Sequence, residues 1–92
     1  MKVVFDARAV EDLEDIRFWI SEDRPQTALA VIERILASIE RLASFPEMGR
    51  EGTVSGTREW VVPRLPFIVV YQADAASGEL RVVGVFHAAR ER

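Results

Sequence analysis

Pro66-Phe67-Ile68-Val69-Val70-Tyr71 is the longest apolar run in the chain. It is short, β-branched and aromatic, with a proline at its start and the turn-forming Asp74-Ala75-Ala76-Ser77-Gly78-Glu79 shortly after it. Such a run reads as a central strand covered by helices. Residues 80–87 follow closely enough to close a hairpin with it. On the other side, residues 57–62 read as a further strand, with Pro63 and Pro66 marking a bend or an edge.

Working outward, residues 2–5 are short, β-branched and aromatic, and predict a first strand. Asp6 is a good N-cap for what comes next. Val10, Leu13, Ile16, Trp19 and Ile20 recur at helical spacing, so roughly residues 7–23 predict an amphipathic helix with Trp19 packed in the core. Glu11, Asp12, Glu14 and Asp15 load its early turns with negative charge, which suits the positive end of a helix dipole. Pro25 breaks this helix and opens another at a favoured first position. In roughly residues 25–44, Ala28, Ile32, Ile35, Ile39 and Leu42 make one apolar stripe, widened by Leu29, Val31 and Leu36. The short break between the helices implies an antiparallel helical hairpin. Pro46 and Gly49 end it, and residues 49–56, with three glycines, read as an ordered loop. The order β-α-α-β-β-β gives an α+β fold of two layers, a helical hairpin packed on one face of a mainly antiparallel sheet.

The 92 residues are one domain's worth, residues 1–92. Without cysteine there is no disulfide, thiolate metal site or Cys nucleophile. One histidine, His87, cannot build a multi-histidine metal site. No metal and no cofactor are expected. The apolar runs are too short to span a bilayer, and Met1-Lys2 leads directly into a strand-like run, which does not read as a secretory signal. A soluble, cytoplasmic protein with no membrane partner is expected. Net charge is −3, and it is unevenly placed. Residues 1–47 carry six basic and ten acidic side chains, and residues 48–92 six and five. Proteins that grip nucleic acid usually show a basic excess, because phosphate contacts supply most of the affinity. Only the C-terminal half could do so, through a few arginines. Eleven of the twelve basic residues are arginine, which suits fixed bidentate contacts.

Several local patterns coincide over nearly the whole chain. They are Ala9-x-x-Asp12-Leu13-x-x-Ile16, Pro25-x-x-Ala28 with the stripe behind it, Phe45-Pro46-x-Met48-Gly49-Arg50, Gly56-Thr57-Arg58-Glu59, Pro66-Phe67-Ile68-Val69-Val70-Tyr71 and Val85-Phe86-His87-Ala88-Ala89-Arg90. In this order and spacing the sequence resembles ParE-type members of the RelE/ParE toxin superfamily. The resemblance implies the toxin of a type II toxin–antitoxin pair that inhibits DNA gyrase by protein–protein binding. It implies a cognate antitoxin as partner, with DNA met only indirectly through that antitoxin. The RelE branch shares the fold but cuts messenger RNA on the ribosome. Nucleases of that branch generally carry a basic residue immediately before the Leu-Val-Tyr-like run of the third strand, a position that here is Ile68, just ahead of Val69-Val70-Tyr71. They also carry mid-chain lysines, whereas Lys2 is the only lysine here. A degenerate toxin that only binds its antitoxin is the third reading.

No catalytic residue is assigned. Target contact is expected among Arg58, Arg81, His87, Arg90 and Arg92: Arg58 can clasp a partner carboxylate or a phosphate, His87 is an imidazole at the end of the last strand, and the resemblance places toxicity determinants largely in the C-terminal region that holds Arg81, Arg90 and Arg92. Each also has a plain structural use. Arg58 and Arg50 can tie down a turn, His87 can hydrogen-bond locally at a sheet end, and the tail arginines can be solvated. The antitoxin-binding candidates are Leu29, Val31 and Leu36, which exceed one core stripe, and Trp60, since aromatics anchor interfaces.

Overall fold

The computed structural model describes residues 1–89. Its elements in chain order are β1 (Lys2–Phe5), α1 (Ala7–Ser21), α2 (Pro25–Ser44), β2 (Arg50–Glu51), β3 (Arg58–Val61), β4 (Phe67–Asp74) and β5 (Glu79–His87). The strands form one sheet in the order β1-β5-β4-β3-β2. β1 runs parallel to β5, with Val3 opposite Leu80, and every other pairing is antiparallel. The apolar run is therefore the middle strand, as an uninterrupted hydrophobic stretch requires.

The core lies between the helices and one face of this sheet. β4 sends Phe67, Val69 and Tyr71 into it, and β5 sends Leu80, Val82 and Val85. From α1 come Ala9, Leu13, Ile16 and Ile20, one stripe at helical spacing. From α2 the buried set is Ala28, Val31, Ile35, Ile39, Leu42 and Ala43. Each Leu or Ile fully buried here contributes about 1.5–3 kcal/mol. Truncating Ile35, which is 0% exposed, to alanine costs about 2–5 kcal/mol.

The β4–β5 ladder slips once. Val70 faces Gly84 but Tyr71 faces Val82, so Val83 is the extra residue of a bulge. Beyond Val82, β5 no longer pairs with β1, and its backbone needs another partner. Asp12 of α1 supplies it, its Oδ2 accepting the Val85 N–H at 2.9 Å. Gly84 allows this approach, because a Cβ there would stand 3.1 Å from that same oxygen.

Several expectations need correction. α1 stops at Ser21, two residues short of the expected end. Residues 49–56 are not all loop, since Arg50 and Glu51 pair with β3 as a two-residue edge strand. The expected strand at residues 57–62 is trimmed to Arg58–Val61. Asp6 occupies the N-cap position but makes no capping bond, and the first turn of α1 holds no acidic residue. The Asp6 carboxylate accepts from Arg81 Nη1 at 2.8 Å instead. Val31 is core, 9% exposed, and Ile32 is only partly buried, so the α2 stripe is rotated from the one expected. Val31 thereby turns mostly into the core, and meets the surface only at a hollow it shares with Arg34 and Leu65. Trp19 is the reverse case, 54% exposed rather than packed inside. It stands three residues past Ile16 and falls on the flank of the helix instead of its core face.

Candidate functional site

The C-terminal end of β5 and the middle of α1 enclose a cleft of about 360 Å³. Asp12, Asp15 and Trp19 form its helix side, and Phe67, Val85, Phe86 and His87 its sheet side. His87 stands directly across from Phe67 in the ladder. Its ring meets Phe67 edge-on at 5.4 Å between centroids, and Trp19 edge-on at 6.3 Å. The imidazole Nδ1 accepts the Ala89 N–H at 3.1 Å, so the ring also fixes the start of the tail. The cleft is acidic. Asp12 is partly committed to the Val85 amide and, at 3.7 Å, to Arg8. Arg8 lies in turn over the Phe86 ring at 5.1 Å. Phe18, 67% exposed, adds a second aromatic beside Trp19 on α1.

The other expected target residues are dispersed. Arg58 donates to the Gly49 carbonyl at 2.7 Å and braces the turn before β2. Arg81 is tied to Asp6 at 2.8 Å and lies 3.8 Å from Glu79. These carboxylates, the Asp6 hydrogen bond first, hold its guanidinium above the usual arginine range. Arg81 thus links β5 to the β1–α1 junction and does not stand ready as a free cation. Arg90 and Arg92 lie outside the described residues. Arg50 reaches Glu59 at 3.1 Å, and Glu59 is nearly fully buried on β3.

On α2, Leu29 and Leu36 are exposed, two turns apart on one flank. Trp60 is partly buried and packs against the core from β3. Its indole N–H is buried and finds no acceptor among the described residues. It is not the open aromatic platform an interface anchor needs.

Two features escaped sequence reading. One is the exposure of Phe18 and Trp19, and the stripe Ala9-Leu13-Ile16-Ile20 already excludes both from the core face. The other is a groove of about 270 Å³ between α2 and the β3–β4 turn, lined by Arg34, Ala37, Ser38, Arg41, Val62, Pro63 and Arg64. Nothing local in the sequence joins residues some twenty to thirty positions apart. Among the described residues no group of three or more His, Asp or Glu side chains could hold a metal ion. Among the same residues no helix is long and apolar enough to cross a membrane.

Comparison with known proteins gives a consistent answer. The family described as ParE toxin of type II toxin-antitoxin system, parDE, matches residues 3–92. Toxin RelE2 of Caulobacter vibrioides is 35% identical over 89 residues, covering 97% of each chain. The solved structure of the chromosomal ParDE TA system from P. aeruginosa superposes with a TM-score of 0.83 at 21% identity, over 95% of both chains. The intact E. coli RelBE toxin-antitoxin complex gives 0.72 at 16% identity, over 99% of this chain and 98% of that one. These two likenesses show that the fold is shared. With a match spanning residues 3–92, the chain belongs to the ParE toxin family of type II toxin–antitoxin systems.

Proposed function

We propose that this chain inhibits DNA gyrase by protein–protein binding, without catalysis, and is neutralised by a cognate antitoxin. One observation carries the choice against RNA cleavage. The only imidazole sits in a cleft lined by two carboxylates, Asp12 and Asp15, and by no basic side chain among the described residues. Cleaving an RNA strand requires cations to hold the phosphate and stabilise its transition state. A doubly acidic cleft repels that phosphate. It suits a protein partner instead, through the exposed Trp19 that lines it. Leu29 and Leu36 on α2 are the apolar pair we assign to the antitoxin. DNA is then met only through that antitoxin, and the protein works in the cytoplasm as a single domain.

Messenger RNA cleavage on the ribosome is the second reading. It is favoured by the relative named Toxin RelE2 and by the presence of an imidazole in a cleft at all.

Plasmid supercoiling by purified gyrase, with this protein added at stoichiometric amounts, tests the proposal. Loss of supercoiling with trapped, cleaved DNA is expected. Unimpaired supercoiling by a folded protein overturns the reading for that gyrase. Ribosome-dependent cleavage of a message in the same preparation would establish the second reading, and neither activity would mark a degenerate toxin.

A further inference from the structure

His87 is the only imidazole in the chain, and it ends the last strand. Its ring is packed edge-on between Phe67 and Trp19, at 5.4 and 6.3 Å between centroids. Its Nδ1 accepts the Ala89 N–H at 3.1 Å. An imidazole nitrogen accepts through a lone pair, so this bond belongs to the neutral ring with its proton on Nε2. In that tautomer one lone pair is used by Ala89 and the other nitrogen is a donor.

The neighbouring backbone bond is of a different kind. Ala88 N–H donates to the Pro66 carbonyl at 2.7 Å, one residue beyond the His87–Phe67 pair of the ladder. Neither of those groups titrates. The chain beyond β5 is therefore held by one bond that is indifferent to pH and by one that needs a neutral imidazole.

The charged groups facing the ring come from α1. Asp12 and Asp15 line the same cleft, and Asp12 is engaged by the Val85 N–H at 2.9 Å and by Arg8 at 3.7 Å. β4 presents Phe67 to the cleft, and β5 presents Val85 and Phe86, none of which titrates. A proton placed on Nδ1 would thus find carboxylates across the cleft and a second donor, the Ala89 N–H, at its own edge.

We propose that His87 is a pH-sensitive latch on the backbone that follows β5. Histidine takes up its proton as pH falls from about 8 to about 5, and Nδ1 then changes from acceptor to donor. Two N–H groups cannot share the place of one hydrogen bond, so the Ala89 bond opens. The Ala88 bond persists, and the backbone pivots between Ala88 and Ala89. The same proton brings a positive charge into a cleft whose other ionisable lining groups are Asp12 and Asp15. One protonation therefore alters both the path of the chain at the rim of the cleft and the charge inside it. The inference concerns the chain by itself and does not depend on what binds it.

Nuclear magnetic resonance of the whole isotope-labelled chain, titrated from about pH 8 to about pH 5, tests the latch. At the alkaline end the ring-nitrogen shifts are expected to show the proton on Nε2 and a bare Nδ1. As the ring titrates, the Ala89 amide should shift with the same midpoint and its heteronuclear NOE should fall, while that of Ala88 holds. His87→Gln is the control. Its side-chain oxygen still accepts the Ala89 N–H but does not titrate, so the Ala89 NOE should stay level across the range. Should that variant not fold, the titration of the parent decides alone. A proton on Nδ1 at the alkaline end overturns the proposal. So does an Ala89 NOE that stays level while the ring titrates, an Ala88 NOE that falls in step with it, or an Ala89 transition that survives in His87→Gln.

Discussion

The phenolic oxygen of Tyr71 lies 3.0 Å from the Gly49 amide nitrogen, 22 residues earlier in the chain, and accepts its hydrogen. The same hydroxyl donates to the Pro46 carbonyl at 2.7 Å. Tyr71 is 0% exposed, so one side chain of the central strand satisfies two backbone groups of the turn that leaves α2. A Cβ at residue 49 would stand 2.5 Å from that oxygen and 2.9 Å from the Glu59 carbonyl. This explains why the turn reads Pro46-Glu47-Met48-Gly49. Tyr71→Phe is expected to cost about 1–3 kcal/mol, because the Gly49 N–H loses its partner while its burial remains. For a domain of this size that lowers Tm by about 4–8 °C per kcal/mol, read by thermal melting. Gly49→Ala should cost more than Tyr71→Phe, since backbone must move. A Gly49→Ala variant as stable as the parent would contradict the packing described.

The same phenol predicts a pH dependence. Burial is the main influence on it and raises its pKa above 10.0, against smaller lowering effects from the Gly49 hydrogen bond and Arg58. The neutral phenol is therefore the form that the fold prefers. Stability from this group is fully present below the ordinary value of 10.0 and is lost as pH rises through the higher folded value. Tyr71 is the only tyrosine in the chain, so near-ultraviolet absorbance of tyrosinate reports it alone. Titration of the native protein should lag behind that of the denatured chain. Coincident curves would mean that the phenol is not buried.

Asp12 supplies a third test. Its carboxylate caps the Val85 amide at 2.9 Å, where β5 has run past β1. Asp12→Ala leaves that amide without its partner, at about 1–2 kcal/mol. The loss should be local, with faster amide exchange at Val85 and little change at Val69 in the middle of β4. Uniform acceleration across the sheet would instead mean that Asp12 supports the whole fold.

The difference between what the sequence revealed and what it concealed follows from the range of the forces involved. Periodicity and punctuation gave β1 and α2 nearly to the residue and placed the β4–β5 hairpin, because Pro25, the turn near residues 74–79 and the apolar runs act locally; the polar end of β4, which runs on to Asp74 opposite Glu79, is held only by pairing. The two-residue β2 was hidden, since Arg50 and Glu51 have little strand propensity and are held by pairing with β3. Val31 and Ile32 were transposed because either can head a helical stripe, and only the direction in which α2 meets the sheet chooses between them. Charge fates were least legible. Asp6 capping a helix and Asp6 holding Arg81 look identical until β5 is laid beside β1. The strip formed by Arg34, Arg41 and Arg64 exists only once the β3–β4 turn is folded against α2.

His87 gives the sharpest distinction between the two functional readings. Its ring is packed edge-on between Phe67 and Trp19, and its Nδ1 serves the Ala89 amide. Glutamine is of similar length and can accept that amide through its side-chain oxygen, but it cannot relay a proton at neutral pH. If the chain acts by binding, His87→Gln should reduce gyrase inhibition by no more than about tenfold, the scale of one altered contact. If it cleaves RNA with His87 as general base, the same change should remove about 10²–10⁴-fold of the activity. Trp19→Ala completes the pair. The side chain is 54% exposed, so its removal should leave Tm within a few degrees, while a partner seated at the cleft would lose an aromatic contact. Growth arrest sensitive to Trp19→Ala and tolerant of His87→Gln is the expected pattern. The opposite pattern would transfer the function of this cleft from recognition to chemistry.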